Sequence, residues 1–126
     1  MLFQLNPASG EPLYEQLEDM IAKYICLGAL EPHEKLPSVR AMAGDLGINP
    51  NTVAKAYRFL ESENIIYTIP GKGVFVADSR AAQDFFLKKS LSEFRRAVSK
   101  AKLAGVSEQT LIQAMQESFK GGTEND

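Results

Sequence analysis

Short polar side chains occupy the start of an apolar helical pattern in the stretch GINPNTVAKAYRFLE, at residues 47–61. Asn51 has an amide that both donates and accepts hydrogen bonds, Thr52 has a hydroxyl, and Lys55 adds a cation one turn later. Such groups bind another polar surface through hydrogen bonds and charge, which is the chemistry of recognition. Taken alone, the cluster is equally well explained as a helix cap that starts at Asn49, with the other polar groups solvated.

Catalytic and metal-binding chemistry finds little support in the sequence. His33 is the sole histidine and lies in a predicted loop beside Glu34, while Cys26 is the sole cysteine and lies in an apolar helical pattern. A zinc site needs several such ligands, and no GxxxxGK phosphate loop surrounds Lys72. We therefore expect His33 to be structural or solvated and Cys26 to be a core thiol. Neither an enzyme, nor a metal, nor a cofactor is implied.

Two short helices joined by a turn would position the polar cluster. Ser38 stands at a helix N-cap position in LPSVRAMAGDLG, and Gly47 ends the pattern after about two turns. Asn49 caps the next helix and Pro50 fits its first turn. The apolar stripe predicted for this second helix consists of Val53, Ala54, Tyr57 and Leu60. The pair is a candidate helix-turn-helix motif, whose second helix lies in the DNA major groove.

Further elements flank this motif. Apolar residues recur at helical spacing through residues 13–25, which predicts a helix that starts at Pro12 and ends at Gly28. Two β-branched and aromatic runs, IIYTIP and VFVA, surround residues 70–73 and predict a β-hairpin with a basic tip. A helix, a helix-turn-helix motif and a hairpin in this order together predict a winged helix.

A second, helical region is predicted from Ser79 onward. Gly105 separates a long helix from a shorter amphipathic helix that Ser107 caps. Two helices of this size leave apolar surface exposed in a monomer, which predicts self-association. The alternative is that these helices fold back on the winged helix. The side chains predicted to form the dimer interface are Leu87, Leu91, Phe94, Val98, Leu111 and Met115.

The charge balance is a poor guide to the partner of this chain. The formal net charge of the 126 residues is −2, whereas nucleic-acid-binding domains are usually basic. Arg40 and Lys72 nevertheless would reach phosphates on either side of a groove, although Arg40 alone could equally belong to a surface ion pair. The sequence shows neither a secretory signal nor an apolar segment of membrane-spanning length, so we expect a cytoplasmic protein.

The run LPSVRAMAGDLGINPNTVAKAYRFLESENIIYTIPGKGVFV resembles the signature of the GntR family of bacterial transcription regulators. The resemblance lies in LPSVR, the turn glycine, NTV, the LE pair and GKGVFV, and it covers roughly residues 10–78. The sequence NPNTVAKAY, followed by a tail of only two helices, is similar to the short YtrA-like subfamily.

The resemblance also implies roles for individual residues, among them wing-tip contacts in the minor groove by residues 71–73. The implied DNA contacts are Arg40, Asn49, Asn51, Thr52, Lys55, Gly71, Lys72 and Gly73. The best-known members have arginines where this chain has Pro50 and Ala54, so the base contacts of those arginines are not carried over. The base preference would then rest more on Asn51 and Lys55.

The combined expectation is an α+β, mostly α fold. A winged helix-turn-helix DNA-binding domain would occupy residues 1–78, and a two-helix C-terminal dimerisation hairpin would occupy residues 79–126. The second region is too short for the effector or aminotransferase-like domains common in the family. Any small effector would bind in a crevice between subunits or domains.

In function, the expected protein is a homodimeric repressor that binds an inverted-repeat operator in double-stranded DNA. The resemblance suggests control of a transporter operon. The alternative is a winged helix that binds another protein without DNA.

Overall fold

The computed structural model of the chain describes residues 4–121, which divide into two compact units between Lys88 and Lys89. In chain order the described elements are a 3-10 turn at Pro7–Ser9, α1 (Leu13–Cys26), β1 (Lys35–Leu36), α2 (Val39–Leu46), α3 (Pro50–Ser62), β2 (Ile66–Ile69), β3 (Gly73–Val76), α4 (Ser79–Leu103) and α5 (Glu108–Gly121). The predicted α+β, mostly α fold is confirmed. No helix within residues 4–121 combines the length and the apolar character that crossing a lipid bilayer requires.

The ends of both predicted domains, residues 1–3 and 122–126, lie outside the described part of the chain. The division between the two units falls within α4, ten residues after the predicted domain boundary at residues 78 and 79. The functional boundary at that position stays a prediction.

The helix-turn-helix motif is built from local signals that the sequence displays. The Ser38 hydroxyl accepts a hydrogen bond of 3.1 Å from the Ala41 N–H and so caps α2. Gly47 ends α2 in the left-handed conformation, at φ +67°, which glycine adopts without steric cost. α3 then begins at Pro50, directly after the Asn49 cap.

The core of the first unit lies between the three helices of the winged helix and its sheet. Its largest fully buried side chains are Leu17, Ile21, Met42, Val53, Leu60, Ile65, Ile66 and Val76. On α3 the buried face comprises Val53, Ala56, Tyr57 and Leu60. The predicted stripe was therefore wrong at Ala54, which is half-buried, because residues 53, 56, 57 and 60 complete the i, i+3, i+4, i+7 pattern of one helical face.

A three-stranded antiparallel sheet in the order β1-β3-β2 forms the wing and its base. β2 pairs with β3 from Ile66 opposite Val76 to Ile69 opposite Gly73, which confirms the predicted hairpin. β1 adds a strand that the sequence did not predict, with Lys35 opposite Phe75. The chain enters β1 through His33, whose N–H donates a 2.6 Å hydrogen bond to the Val76 carbonyl oxygen.

His33 and Cys26 have the structural surroundings expected of them. The Nδ1 of His33 lies 2.8 Å from the Tyr67 hydroxyl oxygen, and the two rings meet edge to face. Cys26 is half-buried against the core, and this burial raises the pKa of its thiol. A thiol with a raised pKa is a poor nucleophile at neutral pH.

The helices after the wing bury few side chains within the chain. Ala82 is the buried residue of α4, and α5 buries none of its described side chains. Ser107 caps α5 as predicted, since its hydroxyl accepts a 3.1 Å hydrogen bond from the Thr110 N–H. These two helices therefore present most of their apolar side chains at the surface.

Candidate nucleic-acid interface

The first turn of α3 is shaped by the Asn49 cap. The Asn49 side-chain oxygen accepts a 2.8 Å hydrogen bond from the Asn51 N–H, and the Asn49 carbonyl oxygen accepts a 3.0 Å bond from the Thr52 N–H. The capping interpretation of Asn49 is thus correct. A DNA contact by the Asn49 side chain would use its amide nitrogen.

Asn51 and Lys55 lie one turn apart on α3, and both are exposed, whereas Thr52 is half-buried. Their spacing places the amide and the ammonium stem on the same side of the helix. The ammonium itself is already engaged, because the Lys55 Nζ lies 3.8 Å from the centroid of the Tyr14 ring on α1. Nothing in the sequence indicates this contact, because it depends on how α1 packs against α3.

The start of α2 is tied to α3 by a buried tyrosine. The Tyr57 hydroxyl donates a 2.7 Å hydrogen bond to the carbonyl oxygen of Pro37, directly before the Ser38 cap. Burial raises the pKa of Tyr57 above its usual value of about 10, so its hydroxyl stays a proton donor at alkaline as well as neutral pH. Arg40, the second residue of α2, is exposed beside this junction.

The wing tip consists of Pro70, Gly71 and Lys72 between β2 and β3. The Lys72 N–H donates a 2.9 Å hydrogen bond to the Ile69 carbonyl oxygen, and Gly71 adopts a left-handed φ of +78°. The backbone of the tip is thereby fixed while the Lys72 side chain is exposed. Gly73 is the first residue of β3 and closes the tip opposite Ile69.

A second lysine lies beside the wing tip. A Cβ added to Gly73 would stand 2.7 Å from the Lys35 Cε and 3.5 Å from its Nζ, so the Lys35 side chain passes over the Gly73 backbone. Lys35 has no predicted site role, because β1 is not predicted from the sequence. The pairing of β1 with β3 is what places this cation near Lys72.

Cations are scarce in the part of the chain predicted to bind DNA. Residues 1–78 contain ten acidic and six basic residues, and the basic ones are Lys23, Lys35, Arg40, Lys55, Arg58 and Lys72. α4, by contrast, carries seven basic and two acidic residues. The winged helix is therefore acidic as a whole, and contacts with an anionic partner depend on where its few cations lie.

Most of the side chains predicted to form a dimer interface are solvent-accessible in the single chain. Leu87 is 59% exposed, Phe94 is 53% exposed, and Leu91 and Met115 are exposed as well. Val98 and Leu111 are half-buried and line an open cavity of about 580 Å³ at the turn between α4 and α5.

The chain matches a known protein family through the elements described above. Residues 13–76, which run from α1 to the last residue of β3, match the model of the gntR family of bacterial regulatory proteins. The chain belongs to the GntR family. It is therefore a DNA-binding transcription regulator, and the prediction that it is not an enzyme is confirmed by the nature of the family.

Individual GntR relatives are similar over most or part of the chain. The HTH-type transcriptional repressor YtrA of Bacillus subtilis strain 168 is 34% identical over 130 residues, spanning 99% of this chain and 100% of that protein. A GntR family transcriptional regulator from Listeria monocytogenes aligns with a TM-score of 0.73 and 29% identity, over 86% of this chain and 96% of that one. The full-length match confirms the predicted resemblance to the short YtrA-like type.

A further similar structure was solved in complex with an operator. AraR(DBD) in complex with operator ORE1 aligns with a TM-score of 0.51 and 32% identity, over 60% of this chain and 95% of that one.

Proposed function

We propose that this GntR regulator is a homodimeric repressor that inserts α3 of each subunit into the major groove of an inverted-repeat operator. The observation that carries the proposal is the exposed start of α3, where Asn51 and Lys55, one turn apart, share one side of a helix that Tyr57 anchors at the start of α2. The similarity to AraR(DBD), which was solved with its operator, supports DNA as the partner.

The roles of the site residues divide between bases and phosphates. Asn51 would read a base edge, since an amide pairs with adenine through one donor and one acceptor, and Thr52 would contact a phosphate or a thymine methyl group. Arg40 and Lys72 would neutralise phosphates on either side of the groove. The remaining proposed contacts come from the Asn49 amide, the Lys55 ammonium and the backbone at Gly71 and Gly73.

Dimerisation is proposed through α4 and α5. The support is the set of large apolar side chains that remain exposed in one subunit, including Leu91 and Phe94 on α4 and Met115 on α5. An apolar surface of this kind marks a protein interface when polar residues surround it. A dimer presents two recognition helices, so the operator half-sites should lie about 34 Å apart, or a multiple of this distance.

The proposed target is a transporter operon, which the resemblance to the short subfamily suggests, and the proposed location is the cytoplasm, where such DNA resides. A small effector, if one acts, would bind in a crevice between subunits.

The proposal is tested by titrating the protein, by fluorescence anisotropy, onto a labelled duplex from upstream of its own gene and onto a scrambled duplex at matched salt. We expect saturation at nanomolar protein on the first duplex only, and an affinity that falls steeply with salt, by a slope of about 0.9 per neutralised phosphate. Arg40→Ala and Lys72→Ala should each lower that slope, whereas Lys23→Ala, which changes an exposed lysine of α1 without a proposed role, should not. Weak, equal and salt-insensitive binding to both duplexes would instead favour the alternative, a winged helix whose partner is another protein.

A further inference from the structure

The side chain of Lys55 does not extend freely from α3 in this structure. Its Nζ lies 3.8 Å from the centroid of the Tyr14 ring, within the range of a cation–π contact. Tyr14 is the second residue of α1, and its ring is half-buried and packed against the core of the winged helix. The ring is thus a fixed platform, while the lysine stem is a flexible chain of four carbons.

We propose that Tyr14 is a positioning residue for DNA binding: its ring holds the Lys55 ammonium beside α3, where the ammonium meets a phosphate of the operator backbone. The inference rests on the proposed function, because it concerns how Lys55 reaches DNA. It adds Tyr14 to the site and assigns Lys55 to the phosphate backbone, whereas the family resemblance counted Lys55 among the residues that would set the base preference.

The ring contact and a phosphate contact are compatible at the same ammonium. The group has three N–H donors, and a ring face occupies only one side of it. The donors that point away from Tyr14 can still bind a phosphate oxygen. Since the ring already restrains the stem in the free protein, less side-chain freedom is lost when DNA binds.

The direction in which Lys55 points favours phosphate over base. Asn51 lies on the first turn of α3, which enters the groove in this motif. The Lys55 ammonium is instead drawn toward α1 by the Tyr14 ring and so lies at the flank of α3. Phosphates border the groove on both sides, so a cation at the flank of the recognition helix reaches them before it reaches a base.

The acidic character of the winged helix makes this placement important. Residues 1–78 hold six basic residues against ten acidic ones, so general attraction to DNA is weak and each cation counts. The Tyr14 ring holds one of these six cations beside α3 in the free protein.

Three variants test the inference by anisotropy on the operator duplex and on its scrambled control. Tyr14→Leu removes the ring, Tyr14→Phe keeps the ring and removes the hydroxyl, and Lys55→Met keeps a long apolar stem and removes the charge. We expect Tyr14→Leu to weaken binding to both duplexes by about two- to tenfold, which is the range for ordering one long side chain. Tyr14→Phe should bind like the unmodified protein. Lys55→Met should lower the salt slope by about one.

The decisive comparison is Tyr14→Leu in the Lys55→Met background, where no further loss should appear because the ring no longer has a cation to hold. Circular dichroism on each variant checks that the helices are retained. A loss in that background, an equal loss in Tyr14→Phe, or unchanged or tighter binding by Tyr14→Leu would each overturn the inference.

A measurement without DNA separates this inference from the proposed function. In the free protein, the Lys55 Hε protons should show a ring-current shift to high field in the NMR spectrum, and Tyr14→Leu should abolish it. Absence of that shift in the unmodified protein overturns the contact itself. A shift in a protein that fails to bind any duplex overturns the proposed function, and the role of Tyr14 in DNA binding falls with it. If Tyr14→Leu leaves the affinity for the operator unchanged, only the role of Tyr14 is overturned.

Discussion

The Tyr57 hydroxyl and the Pro37 carbonyl oxygen form a 2.7 Å hydrogen bond that joins the middle of α3 to the residue before the cap of α2. Tyr57 is only 5% exposed, so its hydroxyl depends on this partner. The bond joins α3 to the start of α2, so it helps to fix the positions of Arg40 and Asn51 relative to each other.

Tyr57→Phe should lower the free energy of unfolding by about 1 kcal/mol, because it deletes a hydrogen bond made by a buried hydroxyl. Urea denaturation measures the change. Tyr67→Phe is the matched control, since the Tyr67 hydroxyl contacts the exposed His33 and water can replace it there. A larger loss in the control than in Tyr57→Phe would contradict a structural role for the bond to Pro37.

The same side chain predicts a dependence of stability on alkaline pH. Burial raises the pKa of Tyr57 in the folded protein above the value of about 10 that it has in the unfolded chain. Its contribution is complete below pH 10. Above that pH the unfolded chain releases a proton that the folded protein keeps, so stability falls. The free energy of unfolding should therefore decline less for Tyr57→Phe than for the unmodified protein between pH 9 and about pH 11, as urea denaturation at both pH values would reveal.

Gly73→Ala should destabilise the wing. Gly73 has φ +133°, and an added Cβ would lie 2.7 Å from the Lys35 Cε. We expect a loss of about 1 kcal/mol or more in the free energy of unfolding, since alanine is strained at positive φ. Adding Lys35→Ala should restore little of that loss, because the clashing Cε belongs to the far end of a flexible, exposed side chain that can move aside. Gly71→Ala measures a backbone cost without a clash, at φ +78°, because nothing lies within 4 Å of its added Cβ. Full recovery in the double variant would show that the clash with Lys35, and not the backbone conformation, causes the loss.

Asn51→Ala should cost about 1 to 3 kcal/mol of binding free energy on the operator and little on a scrambled duplex, as a base-reading contact requires. Arg40→Ala should weaken binding to both duplexes, since phosphates are common to every sequence. Anisotropy titrations at one salt concentration give both values. A uniform loss for Asn51→Ala would remove its base-reading role.

Phe94→Glu should split the proposed dimer, because a carboxylate would replace an aromatic ring that is 53% exposed in one subunit and would be buried on association. Sedimentation velocity at micromolar concentration reports the mass. Ser92→Glu adds the same charge at an exposed polar position of α4 and should leave the mass unchanged. A dimer that persists in Phe94→Glu would show that this stripe does not mediate association.

The parts of the fold that the sequence predicted are those fixed by neighbouring residues. The Ser38 cap and the left-handed Gly47 depend on residues within one turn, so the helix-turn-helix motif could be placed from the sequence alone. β1 is only two residues long and forms because it pairs with β3. It therefore lacks the alternating apolar pattern from which a strand can be predicted. Because β1 was not predicted, the position of Lys35 beside the wing tip was not predicted either.

The candidate site followed the same division. Asn51 and Lys72 could be proposed as DNA contacts from the sequence because they stand at a helix start and a turn, positions that a sequence displays. The contact between Tyr14 and Lys55 joins two helices that are distant along the chain, and it appears only once α1 and α3 are packed. Long-range packing was thus the missing information.

The described side chains of α5 include no buried residue. An isolated helix of 14 residues is marginal in water, since packing supplies most of the stability of a short helix. If a second subunit supplies that packing, α5 is ordered by mass action, and its order rises with subunit concentration. Dilution should then melt α5 before the winged helix, so the abundance of the regulator would set how much of each chain is folded.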